Sequence, residues 1–142
     1  KNIASKCPNL TSLKLSFCHQ VKENNLWHEY LTKFRVDIGF VIKSLARQVG
    51  KNLIELDLNS CLHLTDQSIF SIAKVASKMR RLVLRQCSEI TGSAMLELAK
   101  NCPELEKLDI SNCHRIDTII EVLNSCSKLS EVFKSVHYKY CD

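Results

Sequence analysis

At 142 residues with 45% apolar side chains, the chain has the length and composition of one folded domain. No apolar run approaches the roughly 20 residues that a membrane-spanning helix needs, so no membrane is expected among its partners. The net charge of +5 comes from basic residues interleaved with acids along the sequence, without the aromatic-and-basic face of a nucleic-acid binder, and nucleic acid is not expected as a partner.

In chain order, Ile3, Ala4, Cys7, Pro8 and Leu10 come first, and they match Leu98, Ala99, Cys102, Pro103 and Leu105 further on. Residues 1–6 thus read as the tail of a helix whose own strand is missing, and the chain as a fragment of a longer protein whose repeats continue upstream. A strand is predicted at Leu13 and Leu15, followed by Cys18. Between Leu10 and Leu53 the interval is 43 residues, 17 more than the spacing found later. The excess carries two helical stripes: Trp27, Tyr30, Leu31 and Phe34, then Ile42, Leu45, Ala46 and Val49. The second stripe matches the later helices better, apart from one extra residue near Gly50. That places a helical insertion over about residues 22–38, with the reverse assignment still open. The Trp27, Tyr30 and Phe34 face either packs on the parent domain or, if exposed, makes an apolar docking patch.

The rest of the chain repeats itself. Leu53, Leu56, Leu58 and Cys61 recur as Met79, Leu82, Leu84 and Cys87, and again as Leu105, Leu108, Ile110 and Cys113, in steps of 26 residues. In each unit the last two aliphatics alternate at the period of a short strand with one buried face. A helix follows, with its apolar stripe at Ile69, Ile72, Ala73 and Ala76, at Met95, Leu98, Ala99 and Cys102, and at Ile119, Val122, Leu123 and Cys126. Thr65 and Thr91 stand where an oxygen caps the first free amides, Gly50 where a helix ends and Gly92 where one starts. Val21-Lys22-Glu23 replaces Leu64-Thr65-Asp66 in the first unit and leaves its cap without the usual residues. The third regular unit is two residues short between Cys113 and Ile119, and the pattern decays after Val132, so residues 133–142 read as a degenerate strand or a frayed end, which Tyr138 and Tyr140 could cover.

Units of this kind bury their apolar faces only against their neighbours. Because helices are wider than strands, the stack curves. The expected fold is an α/β leucine-rich-repeat solenoid, a horseshoe with short parallel strands on its concave side and helices on its convex side. The alternation that buries the leucines turns their strand neighbours outward. Three columns result: Ser12, Glu55, Arg81 and Lys107; then Lys14, Asp57, Val83, Asp109 and Phe133; then Ser16, Asn59, Arg85 and Ser111. Their signs change from unit to unit, and Val83 stands between two arginines. Such a mixed surface suits a protein partner on the concave face better than a polyanion. Its candidate contacts are Lys14, Ser16, Asp57, Asn59, Arg81, Val83, Arg85, Lys107, Asp109 and Ser111, with Arg81 and Arg85 as anchors.

Eight cysteines raise the questions of zinc and disulfides. Cys18, Cys61, Cys87 and Cys113 share one repeat position and Cys7, Cys102 and Cys126 another, so they stack in lines, whereas zinc needs ligands around a tetrahedron. Their expected role is structural, as small apolar groups with a weak S–H donor in a reducing compartment; Cys141 lies outside the register. No metal or other cofactor is expected. Nor is any nucleophile, phosphate-loop, dinucleotide or paired-carboxylate motif present, and no catalytic residue is assigned.

The run Cys102-Pro103-Glu104-Leu105-Glu106-Lys107-Leu108-Asp109-Ile110-Ser111-Asn112-Cys113, with Cys61-Leu62-His63-Leu64-Thr65-Asp66 and Cys87-Ser88-Glu89-Ile90-Thr91-Gly92, resembles the cysteine-containing leucine-rich repeat of the F-box/leucine-rich-repeat proteins and of the antagonist-of-mitotic-exit proteins. The resemblance covers most of the chain. It implies a substrate-recognition region of a cullin-type ubiquitin ligase, joined to a Skp-type adaptor through an F-box upstream of these residues, in the cytoplasm or nucleus. The mitotic-exit relatives imply instead a stand-alone scaffold or cell-cycle regulator with no ubiquitin role.

Overall fold

The computed structural model describes residues 7–16, 38–117, 119 and 124–135. Five three-residue strands form one parallel sheet: β1 (Ser12–Lys14), β2 (Glu55–Asp57), β3 (Arg81–Val83), β4 (Lys107–Asp109) and β5 (Glu131–Phe133). They lie side by side in chain order. Parallel neighbours need a crossover. Helices α1 (Ile38–Val49), α2 (Asp66–Ala73) and α3 (Gly92–Asn101) precede β2, β3 and β4 in turn. The architecture is α/β, a sheet layer against a helix layer.

The 26-residue step sets the register. Leu13, Leu56, Leu82, Leu108 and Val132 are laterally paired, and Leu56, Leu82 and Leu108 are buried in one core with Ile69, Ile72, Met95 and Leu98 of the helices. Strand length is limited because each unit turns at both ends. At the entry one carbonyl accepts two amides: Thr11 from Ile54 and Glu55, Ile54 from Arg80 and Arg81, Arg80 from Glu106 and Lys107, and Glu106 from Ser130 and Glu131, all at 2.7–3.1 Å. At the exit Ser60, Gln86 and Asn112 take positive φ of 59°, 57° and 60°. These three occupy the same repeat position, and the left-handed backbone there turns the chain out of the sheet at a modest steric cost.

The buried thiols tie neighbouring units together. Cys61 Sγ donates to Leu15 O at 3.4 Å, Cys87 Sγ to Leu58 O at 3.3 Å and Cys113 Sγ to Leu84 O at 2.9 Å. Cys102 Sγ donates to Ala76 O at 3.5 Å. Each thiol thus satisfies a carbonyl of the preceding unit. Cys61, Cys87, Cys102, Cys113 and Cys126 are buried, whereas Cys7 is exposed. Cys102 is covered by the unit before it, and no such unit precedes Cys7 among the described residues.

Local expectations are adjusted at several positions. Thr91 caps α3 by accepting from Ser93 N–H at 3.3 Å, but Thr65, also at a helix N-cap, makes no side-chain cap bond. Asp66 joins the two units instead, since the Thr91 N–H donates to Asp66 Oδ1 at 2.8 Å and the Thr91 hydroxyl to Asp66 Oδ2. Gly50 is not a left-handed cap, because no glycine has positive φ among the described residues. It opens a 3-10 turn (Gly50–Asn52), and a Cβ there would collide with Val75 Cγ2. Phe133 closes a regular strand, and Lys134, at a position the repeat would bury, is exposed. The stripe at Ile42, Ala46 and Val49 is buried in α1. Trp27, Tyr30, Leu31, Phe34, Cys18, Val122, Leu123, Tyr138, Tyr140 and Cys141 lie outside the described residues.

Candidate protein-binding surface

Lateral pairing aligns the outward strand residues into rows. Ser12, Glu55, Arg81, Lys107 and Glu131 form one; Lys14, Asp57, Val83, Asp109 and Phe133 form the next. Parallel strands stand about 4.8 Å apart, so each side chain is flanked by two from neighbouring units. Several charges are already engaged. Lys107 Nζ lies 2.6 Å from Glu131 Oε1 and Arg85 Nε 3.8 Å from Asp109 Oδ2. Asp57 Oδ1 accepts from Asn59 N–H at 2.9 Å, and Asp109 Oδ1 from Ser111 N–H at 3.0 Å. These two carboxylates brace the turn after their strands. Glu55 accepts from Ser12 Oγ at 3.3 Å.

The ten candidate residues therefore differ in availability. Arg81 and Lys14 are exposed and have no side-chain hydrogen bond or ion pair among the described residues. Arg85 and Lys107 are exposed but paired. Ser16, Asp57, Asn59 and Asp109 are half-buried, and Val83 and Ser111 are buried. Phe133 is 52% exposed, and with Leu62 it makes up the large exposed apolar side chains among the described residues. A shallow depression lies between β1 and β3, lined by Ser12, Lys14, Glu55, Asp57, Arg81 and Val83, with about 20 Å³ of free space. That volume holds about one water, against the several hundred Å³ of a small-molecule pocket.

No protein-family model matches the chain, and no curated protein matches it. Among the described residues no three His, Cys, Asp or Glu side chains gather as metal ligands, and no helix is long and apolar enough to cross a membrane. Burial holds the thiols of Cys87, Cys102, Cys113 and Cys126 protonated. Burial, reinforced by the neighbouring Cys113, raises Cys87 strongly. Burial raises Cys102 to about 12, with Cys126 adding to it, and Cys113 to about 11 against the opposing effect of the Cys87 amide. A thiol so shifted is a poor nucleophile and metal ligand at neutral pH.

Sequence reasoning identified the rows because strand alternation and the 26-residue step determine them jointly. It missed which charges neutralise one another. Arg85 with Asp109 is a diagonal contact between two columns, and long flexible side chains choose such partners only in three dimensions. The Asp66–Thr91 link was legible in principle, since the two residues are 25 apart, one short of a full repeat.

Proposed function

We propose that the chain is a leucine-rich-repeat solenoid that recognises a protein through its strand face, the concave face of such a stack. The 26-residue step, the chain-ordered parallel ladder and the recurring entry and exit hydrogen bonds support the repeat reading. The observation that carries the binding reading is Arg81, an exposed guanidinium without a partner among the described residues, beside buried Val83 and a depression too shallow for a small substrate. An exposed arginine is a common anchor for protein contacts. The neighbouring charges alternate in sign, which favours a partner with its own mixed charges. Its role is recognition rather than catalysis.

The finer reading rests on the cysteine-containing repeat motif: the repeats select substrates for an F-box-type ubiquitin ligase, with a Skp-type adaptor bound elsewhere in the full-length protein. Affinity purification of that full-length protein with mass spectrometry tests it. Stoichiometric recovery of the adaptor and a cullin is expected. Reproducible recovery of other proteins without those two would replace the ligase role with that of a scaffold or cell-cycle regulator.

A further inference from the structure

Charges interleaved along the sequence leave several cations without partners at one edge of the described fold. All strands run parallel and each helix precedes a strand, so the helix C-termini and the loops that enter the strands share one edge of the fold. That edge carries Arg47 in the last turn of α1 and Lys51 just beyond it, Lys74 and Lys78 after α2, and Lys100 in the last turn of α3. All five are exposed. None makes a side-chain hydrogen bond or ion pair among the described residues. The acids at the same edge are engaged: Glu104 by Lys128 at 2.7 Å, Glu106 by Arg80 at 3.6 Å, and Glu97 by Asn101 at 3.1 Å. Lys128 accordingly holds the Glu104 carboxyl below its ordinary range.

Cations near helix C-termini complement the helix dipole, which accounts for one basic group on each helix. It does not account for the second ones, Lys51 and Lys78, which lie in the loops beyond. We propose that this edge is a second docking surface, separate from the strand face, and that its occupant is an extended acidic segment of a protein partner, rich in Asp or Glu. Helices packed about 8–10 Å apart put roughly 20 Å between the α1 and α3 ends, the length of about six extended residues. One feature favours a protein segment over a single-stranded nucleic acid: of the aromatic side chains described, none lies at the edge to stack a base, since Phe70 packs on the core and Phe133 lies on the sheet face.

The test uses the whole chain and a labelled decaglutamate peptide, read by fluorescence anisotropy at low and moderate salt. Binding that weakens with salt is expected, together with a loss of about tenfold or more in the triple variant K51E/K74E/K78E. The variant R115E/K134E, altered at exposed positions in the loops that leave the strands, is expected to keep its affinity within about twofold. If the triple variant melts early, K51Q/K78Q, with both changes outside the α-helices, is read instead and must still weaken binding. Absence of binding at low salt, or unchanged affinity on reversal, would overturn the proposal. Tighter binding of a DNA duplex or single strand with the same loss on reversal would also overturn it and assign the edge to nucleic acid.

Discussion

Raising the pH should unfold this protein through its buried thiols. An unfolded cysteine ionises near 9, whereas Cys113 and Cys102 in the fold do so near 11 and 12, and Cys87 higher still. Below 9 both states hold the proton and the thiols contribute no pH dependence. Above 9 the unfolded state releases protons that the native state keeps, so stability falls as pH rises toward the native values. At pH 10 the unfolded thiol is about ten-to-one ionised, a loss of about 1.4 kcal/mol for each group and about 4 kcal/mol for the three. A domain is typically stable by about 5–15 kcal/mol, so this is a large fraction of the total. Urea midpoints at pH 8 and pH 10, followed by circular dichroism, measure it. Lysines and tyrosines also titrate near pH 10, so the decisive comparison is with Cys87→Ala, which should lose about 1.4 kcal/mol less than the parent over the same interval. Equal losses in the two proteins would refute the reasoning, as would rapid alkylation of Cys87 in the native state at pH 8.

Further outcomes follow from backbone geometry and from the tie between units. Gly50→Ala places a Cβ against Val75 and should cost about 1–3 kcal/mol in urea unfolding; Val75→Ala in the same chain should recover most of it, and simple additivity of the two would show that the contact is not the cause. Gln86→Val puts a β-branched residue at a φ of 57° and removes the acceptor that Ser60 Oγ reaches at 2.6 Å, for a loss of about 2 kcal/mol or more. Gln86→Gly gives up the same bond but relaxes the backbone and should be nearly neutral, so equal costs for the two would contradict the left-handed turn. Thr91→Val removes a donor to Asp66 and should cost about 1–2 kcal/mol; a melting temperature equal to the parent's would deny the link a structural role.

How much was legible depended on whether a feature repeats. The strands, their order and their register follow from Leu56, Leu82 and Leu108, because a 26-residue step with two-residue alternation leaves one way to align the buried columns. The cysteine columns follow for the same reason, although the sequence does not say that each thiol reaches the carbonyl of the unit before. Gly50 was legible as the end of a helix, but not its tightest constraint, which is Val75, 25 residues away. The left-handed exits at Ser60, Gln86 and Asn112 carried a weak signal, with no glycine at any of them and Asn112 alone of a type that favours the conformation. On the candidate face the row membership was legible, but not the difference between Arg85, paired with Asp109, and Arg81, without a partner among the described residues. The basic edge was hidden because Lys51, Lys74, Lys78 and Lys100 are separated by acids that the fold sends elsewhere or pairs.

The central claim is that the strand face recognises a protein, and its most direct test is comparative affinity purification of the parent and the R81E/R85E variant. Reversal of Arg85 loses only a surface pair with Asp109, worth at most about 1 kcal/mol, so the variant should remain folded. The account predicts that partners recovered reproducibly with the parent are depleted about tenfold or more with the variant at matched expression and unchanged circular dichroism. Undiminished recovery of the same partners by the folded variant would contradict it.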